Sequence, residues 1–217
     1  MHDYYCFSIY RDSAIHLETE FVGYGIESES LNEYMNKKLE GKAAVILWGE
    51  PQKSDGTYFI SEDKNPSAWS GRYGWLKKAR IAKKRGAVEV IFLMPDSTLE
   101  NKLVEKRSGI FSEKLLLPNS RDLNKSSKYG SIFLRESAVE TISGISAKEL
   151  NKYKKSVLKG EIEDLQACTK VKLQTSYEFE DVLTSNVLGF LKGSDSASGT
   201  IVMTAHYDHV GFNEEGV

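Results

Sequence analysis

Several shortages in this chain narrow what it can be. Only two cysteines, Cys6 and Cys168, lie near opposite ends of the 217 residues. They could pair only if the fold joined the chain ends, so both read as free and structural, and they fix no redox compartment. Charge of one sign is also lacking: the formal net charge is −2. That gives no support for nucleic-acid or membrane-surface binding. The longest apolar runs fall far short of a bilayer span, so no transmembrane helix is expected. Residues 1–20 lack the apolar core of a signal peptide. Histidine is scarce, with four in all, and no internal repeat or low-complexity segment is evident. The Asn124-Lys125-Ser126 triplet matches a glycosylation sequon, but such triplets arise by chance.

What is present reads as an alternation of strands and helices in a globular chain, 40% hydrophobic and 28% charged. Tyr4 to Tyr10 is aromatic and β-prone. A second strand spans Leu17 to Val22, and Gly23-Tyr24-Gly25 breaks it with a sharp turn. Leu31 to Leu39 reads as a short helix or loop. Lys42 to Trp48 is a buried strand, stopped by Gly49-Glu50-Pro51. Residues 52–70 form a long polar loop with a short strand at Tyr58 to Ile60.

Trp75 to Arg85 is expected to be a helix with Trp75, Leu76, Ala79 and Ala82 inward. Lys77, Lys78, Arg80, Lys83, Lys84 and Arg85 occupy the rest, which reads as a solvated face rather than an anion-binding one. Gly86 caps it. Ala87 to Met94 is a central strand, completing a βαβ unit. Ser131 to Leu134 is another strand. Ser137–Glu140 and Ser146–Glu149 both match a capping box. The second opens a helix from Ala147 to Leu158, with Leu150, Tyr153, Val157 and Leu158 inward.

The C-terminal part is expected to be strands alone. Thr169 to Thr175 alternates with Val171 and Leu173 inward. An acidic turn follows at Glu178 to Asp181, then a strand from Thr184 to Leu191 and a Gly/Ser loop over 192–199. Thr200 to Met203 then runs straight into Thr204-Ala-His206-Tyr-Asp208-His209. A short apolar run suggests a strand buried on both faces, and function gathers beyond the carboxyl ends of such strands. In a strand, residues 206 and 208 point to one side and 209 to the other. Imidazole is a common metal ligand, and a carboxylate commonly orients one. One His and one Asp do not close a zinc site, which needs at least three protein ligands. The pattern change near residue 170 marks a domain boundary, giving segments 1–168 (with 1–15 as a lead-in strand) and 169–217.

Phe21-Val-Gly-Tyr-Gly-Ile26, Leu39 to Pro51 and the helix–Gly86–strand unit together resemble a protease-associated (PA) domain. It is the kind inserted into co-catalytic zinc aminopeptidases of the aminopeptidase Y and glutamate carboxypeptidase II group. Ser185-Asn-Val-Leu-Gly-Phe-Leu-Lys-Gly-Ser-Asp195 and Thr204 to Gly211 resemble the opening strands of that group's catalytic domain. The resemblance spans nearly the whole chain, and 185–211 is its most specific part. It implies an α/β (α+β) chain: a PA-like mixed sheet or barrel with flanking helices, plus a short β segment that begins a zinc-exopeptidase domain. His206 falls on the family's first zinc ligand and Asp208 on the carboxylate supporting that ligand. His209 falls on a neighbour that is not a ligand.

The implied activity is removal of N-terminal residues from peptides by two zinc ions, which polarise the scissile carbonyl and supply hydroxide. The PA domain shapes substrate access. The implied partners are a peptide substrate and the remainder of the catalytic domain, and the implied setting is periplasmic or secreted. The bridging Asp and its Gly-Ala-x-Asp-Asn-Ala-Ser-Gly context do not occur here, and Glu214-Glu215 reads as a loop coincidence with the family's general-base pair. The chain therefore reads as an excised middle piece, inactive alone and holding no zinc stably. Two other readings compete. A stand-alone PA-type binding module without catalysis belongs to a different class. A metallo-β-lactamase-like site would need a histidine where Thr204 stands.

Overall fold

A computed structural model describes residues 4–7, 14–71, 73–99, 130–166, 169–174, 185, 187–195 and 199–205. It divides into two compact units, Met1–Glu178 and Phe179–Val217.

The first unit is a curled, six-stranded mixed sheet flanked by helices. Its strands are β1 (Tyr4–Phe7), β2 (Ile15–Phe21), β3 (Ala43–Leu47), β4 (Glu89–Met94), β5 (Ser131–Arg135) and β6 (Lys170–Leu173). Their order across the sheet is β1-β5-β4-β3-β2-β6. The four inner strands are mutually parallel, and the two outer ones pair antiparallel. Helix α1 (Gly74–Lys84) connects β3 to β4. A single turn, α2 (Asp96–Leu99), follows β4, and α3 (Val139–Ser143) and α4 (Ala147–Val157) follow β5.

The core has two layers because side chains alternate across the inner strands. Ala43, Val45 and Leu47 of β3 and Ile91 and Leu93 of β4 face the cluster that contains α4's Leu150, Tyr153 and Val157. Ala44, Ile46, Val90, Phe92 and Met94 face Ala79 and Ala82 of α1. Being covered on both faces is why β3 and β4 are apolar without alternation. In the α1 layer, Phe92 stacks on Phe133 at 5.4 Å, and Trp75 meets Phe133 edge-on at 5.3 Å. The end of α1 is set by Gly86, at φ +95. Ala87 N–H bonds to Ala82 O at 3.1 Å and Gly86 N–H to Lys83 O at 3.0 Å, a Schellman turn. A Cβ at Gly86 would fall 2.0 Å from Glu40 Oε2.

Several expectations change. Of the two alternatives for 31–39, short helix or loop, the structure has the loop, formed of turns; Tyr58 makes only an isolated bridge to Gln52. The Ser146–Glu149 capping box forms, but the Ser137–Glu140 box does not. Ser137 lies inside a 3-10 turn, and its hydroxyl donates to Asp96 Oδ2 at 3.0 Å instead. Strand β6 is hydrogen-bonded to β2, with Thr19 N–H reaching Thr169 O at 2.9 Å just before it.

In the second unit, residues 187–191 and 200–203 carry no strand. Val187, Leu188, Phe190, Leu191, Ile201, Val202 and Met203 are 76–94% exposed. A strand buried on both faces needs neighbours in its sheet and layers over it, and among the described residues none packs on these side chains. The expected acidic turn at Glu178 to Asp181 lies outside the described residues.

Among the described residues, one core group is unsatisfied: Tyr34 is 1% exposed, and its hydroxyl finds no hydrogen-bond partner there. An orphaned buried hydroxyl costs about 1–3 kcal/mol, whereas the stacking of Arg85 on the Tyr34 ring, at 4.9 Å, needs only the ring. Tyr34→Phe is therefore expected to raise the urea midpoint, by about 1 kcal/mol of stability. A loss of stability would mean that the hydroxyl has a partner.

Candidate functional site

The carboxyl ends of parallel strands are where α/β sheets place their chemistry. In this sheet the ends of β2 and β3 hold a buried network of charged and phenolic groups. It begins at the turn after β2. Gly23 sits at φ +58, and a Cβ there would lie 1.9 Å from Tyr153 Oη and 2.1 Å from Glu33 Oε1. Only glycine leaves room for both. Glu33, 3% exposed, points its carboxylate into this space. One oxygen accepts from Tyr24 N–H at 2.9 Å and from the Tyr153 hydroxyl. The other accepts from Ile26 N–H at 3.0 Å. Tyr153 comes from α4 and packs edge-on against Phe21 at 5.2 Å. Leu47 N–H donates to Gly23 O at 2.7 Å, joining β3 to the same turn.

Lys78 enters from α1. Its side chain is 1% exposed, and its ammonium donates to Gly49 O just beyond β3. The expectation of a solvated position was wrong here. Residues 75, 78, 79 and 82 follow the i, i+3, i+4, i+7 rule of one helix face, so Lys78 shares the stripe of Ala79 and Ala82. The next residue, Glu50, accepts from Ser67 N–H at 2.7 Å and Ser67 Oγ at 2.8 Å, which pins the loop after β3. Lys77 lies 3.5 Å over the Trp69 ring and fastens the same loop from outside.

Burial dominates the protonation equilibria. It pushes Glu33 above the ordinary carboxylate range, against its hydrogen bonds and Lys78. It pushes Lys78 down to about 8, against Glu33 and Glu50. Tyr24 and Tyr153 are driven up by burial and by the neighbouring Glu33.

None of these groups reaches solvent, so none can meet a substrate directly. The network works as a clamp that holds the loops 22–27 and 49–71 at one end of the sheet. Beside it, at the ends of β4 and β5, an open cleft of about 370 Å³ is lined by Asp96, Glu136 and Glu140 over Val139 and Leu150. Lys154 neutralises Glu136 at 2.5 Å.

The residues singled out in the sequence, His206, Asp208 and His209, lie outside the described residues, as do Cys168 and Glu214-Glu215. Among the described residues, no group of three His, Cys, Asp or Glu is placed to hold a metal ion, and no helix is long and apolar enough to cross a membrane. Sequence reasoning missed Glu33 altogether; it sits in a turn segment with no periodicity to flag it. Lys78 was findable from its spacing to Trp75, Ala79 and Ala82.

The depressed Lys78 predicts a pH signature. Between about 8 and the ordinary lysine value of 10.5, the unfolded chain binds one more proton than the folded chain, so unfolding free energy rises with pH. Wild type is expected to gain up to about 3 kcal/mol over Lys78→Met across that window. Tyr24, Tyr34 and Tyr153 pull the opposite way above pH 10, and Cys6 above pH 9, in both proteins alike. Denaturant titrations at stepped pH check this, and parallel profiles would remove the buried-lysine assignment. No family model and no curated protein matches the chain.

Proposed function

We propose that this chain is part of a co-catalytic zinc aminopeptidase: a PA-type module, Met1 to about residue 168, that shapes substrate access, followed by the opening of the catalytic domain. The observation that carries the module is the joining of Phe21–Ile26 and Leu39–Pro51, the two segments on which the PA resemblance rests. The end of β2 with its exit turn lies beside β3, with Phe21 opposite Val45 in parallel pairing and Leu47 N–H bonded to Gly23 O; Glu33 and Tyr153 hold the first exit loop and Lys78 the second. A rigid pair of loops at a sheet end suits a wall that guides a peptide. Glu33, Glu50 and Lys78 are all buried, which suits a positioning role better than acid–base work.

The exposed apolar stretches around Val187–Leu191 and Ile201–Met203 support the peptidase half of the reading. They have the composition of inner strands and lack only the sheet and helices that a catalytic domain would supply. In that domain His206 would be one zinc ligand, with Asp208 accepting its second ring proton. Two zinc ions would polarise the peptide carbonyl and supply hydroxide near neutral pH. The setting implied by the resemblance is extracytoplasmic.

A second reading, a binding module without catalysis, is favoured by one observation. A groove of about 220 Å³ opens between β1 and β6, on a part of the sheet that the clamp does not occupy.

Aminoacyl-anilide assays separate the two. The isolated chain is expected to show no zinc-dependent turnover. The whole protein that carries it is expected to release N-terminal residues only with zinc. There, Asp208→Asn should lower kcat/KM by about 10–100-fold and His206→Ala by more. Zinc-dependent turnover by the isolated chain would overturn the partial-site reading. A whole protein inert with zinc would leave the binding module.

A further inference from the structure

The curled sheet leaves a seam between its two outer strands. Tyr4 and Cys6 of β1 line one side of the groove, and Lys172 and Leu173 of β6 the other. Ile91 and Ile132 make the floor, so the cavity of about 220 Å³ is mainly apolar. That is larger than the ~150 Å³ apolar cavity known to hold benzene, and suits one or two aliphatic side chains. Glu89 lies at the base. It is 0% exposed already, and Lys83 Nζ stands 3.3 Å from its carboxylate, so filling the groove removes no water from it.

The seam also has main-chain capacity. In the sheet order, β6 pairs with β2 on one side and no described strand covers the other. An extended chain laid on such an edge gains backbone hydrogen bonds, and every second side chain points to the same face. Charge narrows the partner further. Lys170 stands opposite Glu18 in register, but Lys172 stands opposite His16. Lys172 is exposed and, among the described residues, has no acidic partner. Among those residues, the end of the seam that borders the groove carries a cation without a counterion.

We propose that this seam docks an extended peptide that adds to the β6 edge, sets apolar side chains into the groove, and places a carboxylate side chain against Lys172. This deepens the binding role proposed above by naming the partner's chemistry, and it does not depend on zinc-dependent hydrolysis.

The test uses a fluorescently labelled peptide of alternating Val and Glu, about eight residues long, titrated with the chain and followed by anisotropy. Saturable binding is expected. A Val-Lys peptide of the same length should bind at least about tenfold more weakly, and a Val-Glu peptide with a central proline should not bind, since proline cannot complete the edge pairing. Lys172→Glu, with an unchanged urea midpoint, should reverse the preference between the Glu and Lys peptides. Absence of saturable binding overturns the proposal and leaves Lys172 as a guard against edge pairing. Binding indifferent to the proline or to Lys172→Glu overturns it as well. So does concentration-dependent self-association in sedimentation that the Val-Glu peptide does not compete away, because the seam would then belong to a second copy of the chain. Anilide turnover is not read in any of these arms, so an inert peptidase and a failed docking site give separate outcomes.

Discussion

A carboxylate placed in the interior must be satisfied where it stands, and the end of this sheet is built around that requirement. Glu33 has two backbone N–H donors and one phenol within reach. The donors come from the turn after β2 and from α4, on elements far apart in sequence. An unpaired buried carboxylate would cost several kcal/mol, so the turn, the helix and the glycine that admits them form one unit. Gly23 has no freedom in this arrangement, because the space of its missing side chain is already taken by Glu33 and Tyr153.

Helix α1 shows the same economy in its cations. Its sequence looks like a surface painted with charge, yet four of the six basic residues from Lys77 to Arg85 are engaged. Lys77 covers Trp69, and Lys78 reaches Gly49. Lys83 bonds to Val88 O and lies 3.3 Å from Glu89. Arg85 pairs with Glu27 and stacks on Tyr34. Aliphatic stems let these residues contribute packing while their heads find acceptors. Most of the basic run is therefore occupied by contacts within the chain, which weakens the motive for assigning it an anionic partner.

The two units differ in what holds them. In the first, β3 and β4 are covered on both faces, and their apolar runs are explained by that cover. In the second, residues of equally apolar composition lie open. The same local signal, a short run of branched and aromatic side chains, thus has two outcomes. Burial of such a run depends on what packs over it, and composition alone does not report that.

Much of the first unit was legible in the sequence. The strands at 43–47 and 89–94, the helix between them and the Gly86 stop follow from local rules: uninterrupted apolar runs, a 3.6-residue stripe and a left-handed cap. The Ser146 cap was legible for the same reason, since a capping box is complete within four residues. Ser137 carried an identical pattern and failed, because it falls inside the 3-10 turn Glu136–Ala138 and not at a helix N-cap, with its hydroxyl donating to Asp96, forty-one residues away. Tertiary structure alone decided the sheet order, the placing of Tyr153 on Glu33 across 120 residues, and the burial of Lys78. Local propensity is written in neighbouring residues. Which carboxylate meets which phenol is settled only when layers close on each other and every enclosed polar group has to find a partner.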